Sequence, residues 1–114
     1  MIRRGELYRA QLDPVLGSEQ GGTRPVLVVQ NNVGNKYSPT VIVLAVTSRT
    51  GKARLPTHVE IRAQESGLPQ DSLILAEQVR TLDKQRLGQK LGEIPEDVME
   101  QVSHALKLSL QLGD

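Results

Sequence analysis

Two runs, Pro25-Val26-Leu27-Val28-Val29-Gln30-Asn31 and Thr40-Val41-Ile42-Val43-Leu44-Ala45-Val46-Thr47, decide the fold class. Both are apolar at consecutive positions and rich in β-branched residues. That pattern predicts central strands covered on both faces, rather than strands with one wet side. Pro25 suits the first position of a strand, where a missing N–H costs least. The Asn-, Gly-, Ser- and Pro-rich segment between the runs reads as a turn.

Upstream, Glu6-Leu7-Tyr8-Arg9-Ala10-Gln11-Leu12 mixes polar and apolar residues like a half-buried strand, and Asp13-Pro14 ends it. Gly17 to Thr23 holds three glycines and no large apolar residue, which predicts an exposed, mobile loop. Downstream, Arg49, Lys52 and Arg54 around Gly51 predict a basic hairpin loop leading to the strand Thr57-His58-Val59-Glu60-Ile61. Gly67-Leu68-Pro69 is a further break. Asp71 to Gln78 reads as another strand, which Val79 to Leu82 continue after a bend. Pro95 suits a first helical position, Glu96 and Asp97 favour the positive end of the helix dipole, and Gly113 sits where helices stop. Val98, Val102, Ala105, Leu106 and Ser109 fall on one helical stripe, with His104 on the far face. Five or more short strands and a terminal helix predict a mainly β (α+β) fold: a small antiparallel barrel with a C-terminal α-helix, one domain over residues 1–114.

Composition narrows the function. Of the 114 residues, 33 are Leu, Val or Ile, enough for a single core. The absence of Cys removes disulfides and thiolate metal sites and points to the cytoplasm. Arg3 and Arg4 are followed by no apolar stretch, so neither a signal peptide nor a membrane anchor is expected. With Tyr8 and Tyr37 the only aromatics, a binder that works mainly by stacking bases on aromatic platforms is disfavoured. Charge is unevenly placed: residues 93–114 carry five acids and one base, leaving 13 bases against eight acids in residues 1–92. A basic body of this kind suits phosphate, although a solvated surface has the same composition.

The two histidines, His58 and His104, form no cluster of ligand spacing with acids, so neither a metal nor another cofactor is expected. His104 on the far face of a helix also argues against a histidine acid–base pair. What remains is a polar group at strand ends: Arg24 before the first central strand, Asn31 after it, Thr47 closing the second, and Glu77-Gln78 where a third bends. Strand ends beside mobile loops are natural places for a site on a rigid sheet. Each also has an ordinary structural reading, as surface arginine, turn former, strand residue or bulge.

Gly17 to Asn31 as a block resembles the first signature of the MazF/PemK (Kid) toxin family, whose members are sequence-specific endoribonucleases. Leu44-Ala45-Val46-Thr47-Ser48, Leu55-Pro56-Thr57-His58-Val59 and Leu75 to Leu87 are similar to the family's later blocks, in the same order. The resemblance implies a CcdB/PemK-type, SH3-like barrel, a homodimer, single-stranded RNA (mRNA) as substrate and inhibition by a cognate MazE-like antitoxin. It implies Arg24 and Thr47 as the catalytic pair. Ser18, Glu19, Gln20, Asn31, His58, Glu77 and Gln78 are expected near the RNA groove, with Glu77 the most structural of them. Arg80 and Asp83 are expected to be structural or RNA-contacting.

The implied chemistry fits these residue types. A ribose 2′-OH attacks its own phosphate once attacking and leaving oxygens are in line, which needs neither metal nor external water. An arginine, nearly always protonated, suits stabilisation of the phosphorane better than proton abstraction. Two other classes compete: a CcdB-like toxin of the same fold that poisons a protein such as gyrase, and a non-catalytic RNA-binding barrel. Incubation with RNA separates the first from the nuclease, and an Arg24→Ala variant that binds without cutting separates the second.

Overall fold

The computed structural model describes residues 1–51 and 54–113; Lys52 of the basic loop and Asp114 of the acidic tail lie outside the described residues. In chain order the elements are β1 (Glu6–Gln11), β2 (Thr23–Val28), α1 (Asn32–Tyr37), β3 (Thr40–Thr47), β4 (His58–Ile61), α2 (Ala63–Ser66), β5 (Ser72–Asp83), β6 (Leu87–Glu93) and α3 (Glu96–Leu110). The strands form one antiparallel sheet in the order β4-β5-β3-β2-β1-β6. It is the mainly β fold with a C-terminal helix that the sequence predicts.

The doubly apolar runs have a direct cause. Successive strand residues point to opposite faces, and each face of this sheet has its own apolar cluster. Val26, Val28, Val41 and Val43 join Ala10, Leu12 and Leu82 on one side. Leu27, Leu44 and Val46 join Leu7 and Ile74 on the other, where Val98, Val102 and Ala105 of α3 close the layer. Leu27, Val28, Val43 and Leu44 are each fully buried, so neither face tolerates a polar residue there.

Four features differ from expectation. The segment after Val28 is not strand to its end: Asn31 caps a short helix, its Oδ1 accepting from Gly34 N at 2.8 Å. Buried Asn35 secures that helix by donating to the Gln30 carbonyl at 2.9 Å, which is why an Asn- and Gly-rich stretch is helical at all. The basic loop is not a hairpin. Thr47 pairs with Leu73 while β4 pairs with the far side of β5, so the chain after β3 crosses the end of β5 before β4 begins. Strand β6 was hidden by its glycines. A Cβ at Gly92 would lie 1.9 Å from the Ser66 carbonyl oxygen, so glycine is required where β6 meets the end of α2. At the C-terminus, Pro95 is the cap residue of α3, and Gln111 with φ 54° ends it in place of Gly113.

Candidate functional site

The site begins with an irregularity in the sheet. Along β3, Leu44 pairs with Val79 and the next residue, Ala45, pairs with Leu75. Ala76, Glu77 and Gln78 therefore have no partner on β3, and the bulge turns polar side chains out of the ladder. Beside it lies a cavity of about 170 Å³ lined by Ser18, Gln20, Thr47, Arg49, His58, Leu73, Leu75, Glu77 and Gln78. Six residues expected at the site thus meet: Ser18, Gln20, Thr47, His58, Glu77 and Gln78.

Local bonds orient the walls. Thr47 is buried and its Oγ1 accepts from Arg49 N at 3.2 Å, and the hydroxyl proton has no acceptor among the described residues. The Glu77 carboxylate accepts from the Thr57 hydroxyl at 2.7 Å and faces His58 Nε2 at 3.0 Å. The other ring nitrogen, Nδ1, accepts from Leu55 N at 3.2 Å, so the bonding pattern assigns the His58 proton to Nε2. Gln20 N donates to Gln78 Oε1 at 3.4 Å. The Gln20 Oε1 is buried with no partner among the described residues, an unusual state for an amide carbonyl.

Arg24, Glu19 and Asn31 stand outside this cavity. Carried two residues beyond the paired stretch, the β2–β3 register sets Arg24 across from Thr47. Its Nε donates to the Gly21 carbonyl at 2.7 Å, and the guanidinium has no carboxylate partner among the described residues. It lines a neighbouring depression of about 260 Å³. Glu19 folds back on its own loop, accepting from Leu16 N at 2.7 Å, and Asn31 is occupied in capping α1. Arg80 and Asp83 have structural partners: Arg80 Nη2 donates to the Leu12 carbonyl at 3.0 Å, and Asp83 Oδ1 accepts from Gln85 N at 2.8 Å.

Arg49, read in the sequence only as part of a basic loop, is a charged lining residue absent from the expected site set. The loop that crosses the end of β5 delivers it, so its position depends on strand order rather than on local pattern. Arg54 in the same loop is paired with Glu60. His104 is exposed on α3, yet it shares the wall of an open groove with His58. Both ring nitrogens of His58 are already engaged, so proximity does not make the two an acid–base pair. Among the described residues no three His, Asp or Glu side chains converge, and no helix is long and apolar enough to cross a membrane.

Comparison with known proteins fixes the lineage. A family model described as "PemK-like, MazF-like toxin of type II toxin-antitoxin system" matches residues 3–110. The chain belongs to this toxin family. It is 54% identical over 114 residues to "Endoribonuclease EndoA" of Bacillus subtilis (strain 168), covering 100% of this chain and 98% of that one. Crystalline MazF from Deinococcus radiodurans superposes with a TM-score of 0.84 at 30% identity, covering 97% of each chain. An endoribonuclease in complex with its cognate antitoxin, from a mycobacterial species, superposes at 0.80 and 30% identity over 100% of this chain and 99% of that one.

In this MazF-like toxin Glu77 also ties the site to stability. Burial pushes its carboxyl up, but the bonds from Thr57, from its own backbone and from His58 outweigh burial and hold it below the ordinary carboxylate value. A carboxyl depressed in the folded state stabilises the fold above its unfolded value, and that contribution drains as pH falls through the folded value. Glu6, lowered by Lys90, Arg3 N and Tyr8 against its own burial, acts in the same direction. Glu77→Gln is therefore expected to lose less stability than the parent when urea unfolding is repeated from pH 7 to about pH 3. Equal losses in the two proteins would show that the carboxylate is not a net stabiliser.

Proposed function

We propose that this chain is a sequence-specific, ribosome-independent endoribonuclease toxin, an mRNA interferase of a type II toxin–antitoxin system. It acts in the cytoplasm as a homodimer whose 1–114 unit is one domain, and a MazE-like antitoxin holds it in check. The observation that carries this reading is the convergence of Thr47, Arg49 and Gln78 on one cavity, with Arg24 at the adjoining strand end. The names borne by its relatives support it.

The reaction follows from the residue types. The ribose 2′-oxygen attacks the adjoining phosphorus and the P–O5′ bond breaks. The 2′-hydroxyl loses its proton and the departing 5′-oxygen gains one, giving a 2′,3′-cyclic phosphate and a 5′-hydroxyl with no water consumed. Charge gathers on the non-bridging oxygens, where a guanidinium presents a fixed fork of donors. Arg24 supplies that fork, held at Nε by Gly21. The hydroxyl proton of Thr47 adds a neutral hydrogen bond. Ser18, Gln20, His58, Glu77 and Gln78 shape the cavity for a base. Glu19 and Asn31 contact RNA outside the cavity.

Incubation with a long RNA in EDTA, followed by primer extension, tests the reading. Discrete cuts at one recurring short motif, with 5′-hydroxyl ends, are expected. No cutting would overturn it and leave the protein-poisoning alternative, and cutting only when magnesium is restored would overturn the metal-free transesterification.

A further inference from the structure

The second depression has the chemistry of a nucleotide site. Its floor is apolar, formed by Pro25, Val46, Leu68 and Leu91, and its rim carries Arg9, Arg24, Thr23, Ser48 and Gln70. No carboxylate among the described residues lines it. Arg9 extends from β1, exposed, with neither an ion pair nor a side-chain hydrogen bond among the described residues. Arg9 is thus a cation without a counter-charge among the described residues beside an apolar floor, and an anion placed there supplies the missing partner. An apolar floor beneath a basic rim fits a base or ribose below and a phosphate above.

Placement says which nucleotide. Consecutive residues divide between the two hollows: Thr47 lines the cavity and Ser48 the depression, while Leu73 lines the cavity and Ser72 the depression. The hollows therefore back onto each other across the strand ends, and Arg24 stands at the boundary. A strand with its reactive phosphate at Arg24 and one nucleotide in the cavity runs its next nucleotide into the depression.

We propose that this depression is a second nucleotide subsite, in which Arg9 holds a phosphate of the RNA beyond the cut. It rests on the endoribonuclease reading above, and it makes Arg9 a determinant of substrate length and affinity.

The test uses the full chain and one RNA motif in three forms: flanked on both sides, trimmed 5′ of the cut, or trimmed 3′ of it. The parent enzyme is expected to prefer the flanked RNA over one trimmed form by roughly five-fold in kcat/KM, the size of one exposed charge-assisted contact. Arg9→Gln is expected to abolish that preference and to make the slope of log Kd against log salt shallower by about 0.7, one single-strand phosphate. Arg3→Gln, an exposed arginine outside both hollows, controls for general charge. Equal effects from the two variants would overturn the subsite, as would an Arg9→Gln enzyme that keeps the parental preference and salt slope. A shift in sedimentation with an unchanged length preference would assign the depression to protein contact and overturn it too. A parent that cuts none of the three RNAs instead removes the reading on which the subsite rests.

Discussion

RNA carrying deoxyribose at the single nucleotide 5′ of the cut is expected to bind and to remain intact. In the proposed reaction the 2′-oxygen of that nucleotide is the nucleophile, so its removal eliminates the reaction rather than slowing it. Binding loses at most one hydrogen bond, a Kd rise of no more than about tenfold. The binding groups are elsewhere: the cavity walls, Arg49 and the rim that carries Arg24. Single-turnover cleavage and filter binding on the matched pair of substrates separate the two effects. Deoxyribose at any other position should leave cutting in place. Cleavage of the substituted RNA, or product ends bearing 5′-phosphate, would mean that water attacks, and Arg24 and Thr47 would then need a different chemistry.

The parts of this fold legible in the sequence are those specified by local pattern. The limits of β3 follow from an apolar run between a turn and a basic loop, and the buried stripe of α3 from helical spacing. The bend after Gln78 is visible as a change of pattern and becomes the bulge that exposes Glu77 and Gln78. What was not legible depends on contacts distant in sequence. Gly92 weakens the strand signal of β6 because Ser66, far away along the chain, needs the space. Helix α1 rests on the side-chain bonds of Asn31 and Asn35, residues whose propensity favours turns; the Asn31 cap was the one local signal for it. Arg49 reaches the cavity because β5 is inserted between β3 and β4, an order that the basic loop's composition does not encode. Thr47, like Arg24, is visible as a polar strand end, whereas His58 comes from the family blocks; the structure adds that Thr47 lines the cavity with Arg49 while Arg24, across from it at the adjoining strand end, borders the second hollow.

That division sets the expected contrast between two substitutions. Arg24→Ala removes a charged group at the boundary between the hollows, and loss of a preorganised donor to transition-state charge costs about 100- to 1,000-fold in kcat. KM should move by less than about tenfold, because the ground-state phosphate is held by other contacts as well. Arg24→Lys should recover little: an ammonium keeps the charge but lacks the fork and the Nε that Gly21 anchors. Thr47→Ala removes a neutral hydrogen bond worth about 1 kcal/mol, a five- to tenfold loss. Because Thr47 is buried, Thr47→Ser, which keeps the hydroxyl, should restore most of the rate where the defect is chemical. Urea unfolding of each variant checks that lost rate is not lost fold, since the Arg24 bond to Gly21 also tethers the glycine loop. A loss at Arg24 confined to KM would make it a binding residue, and a larger loss at Thr47 than at Arg24 would move the centre of the chemistry into the cavity.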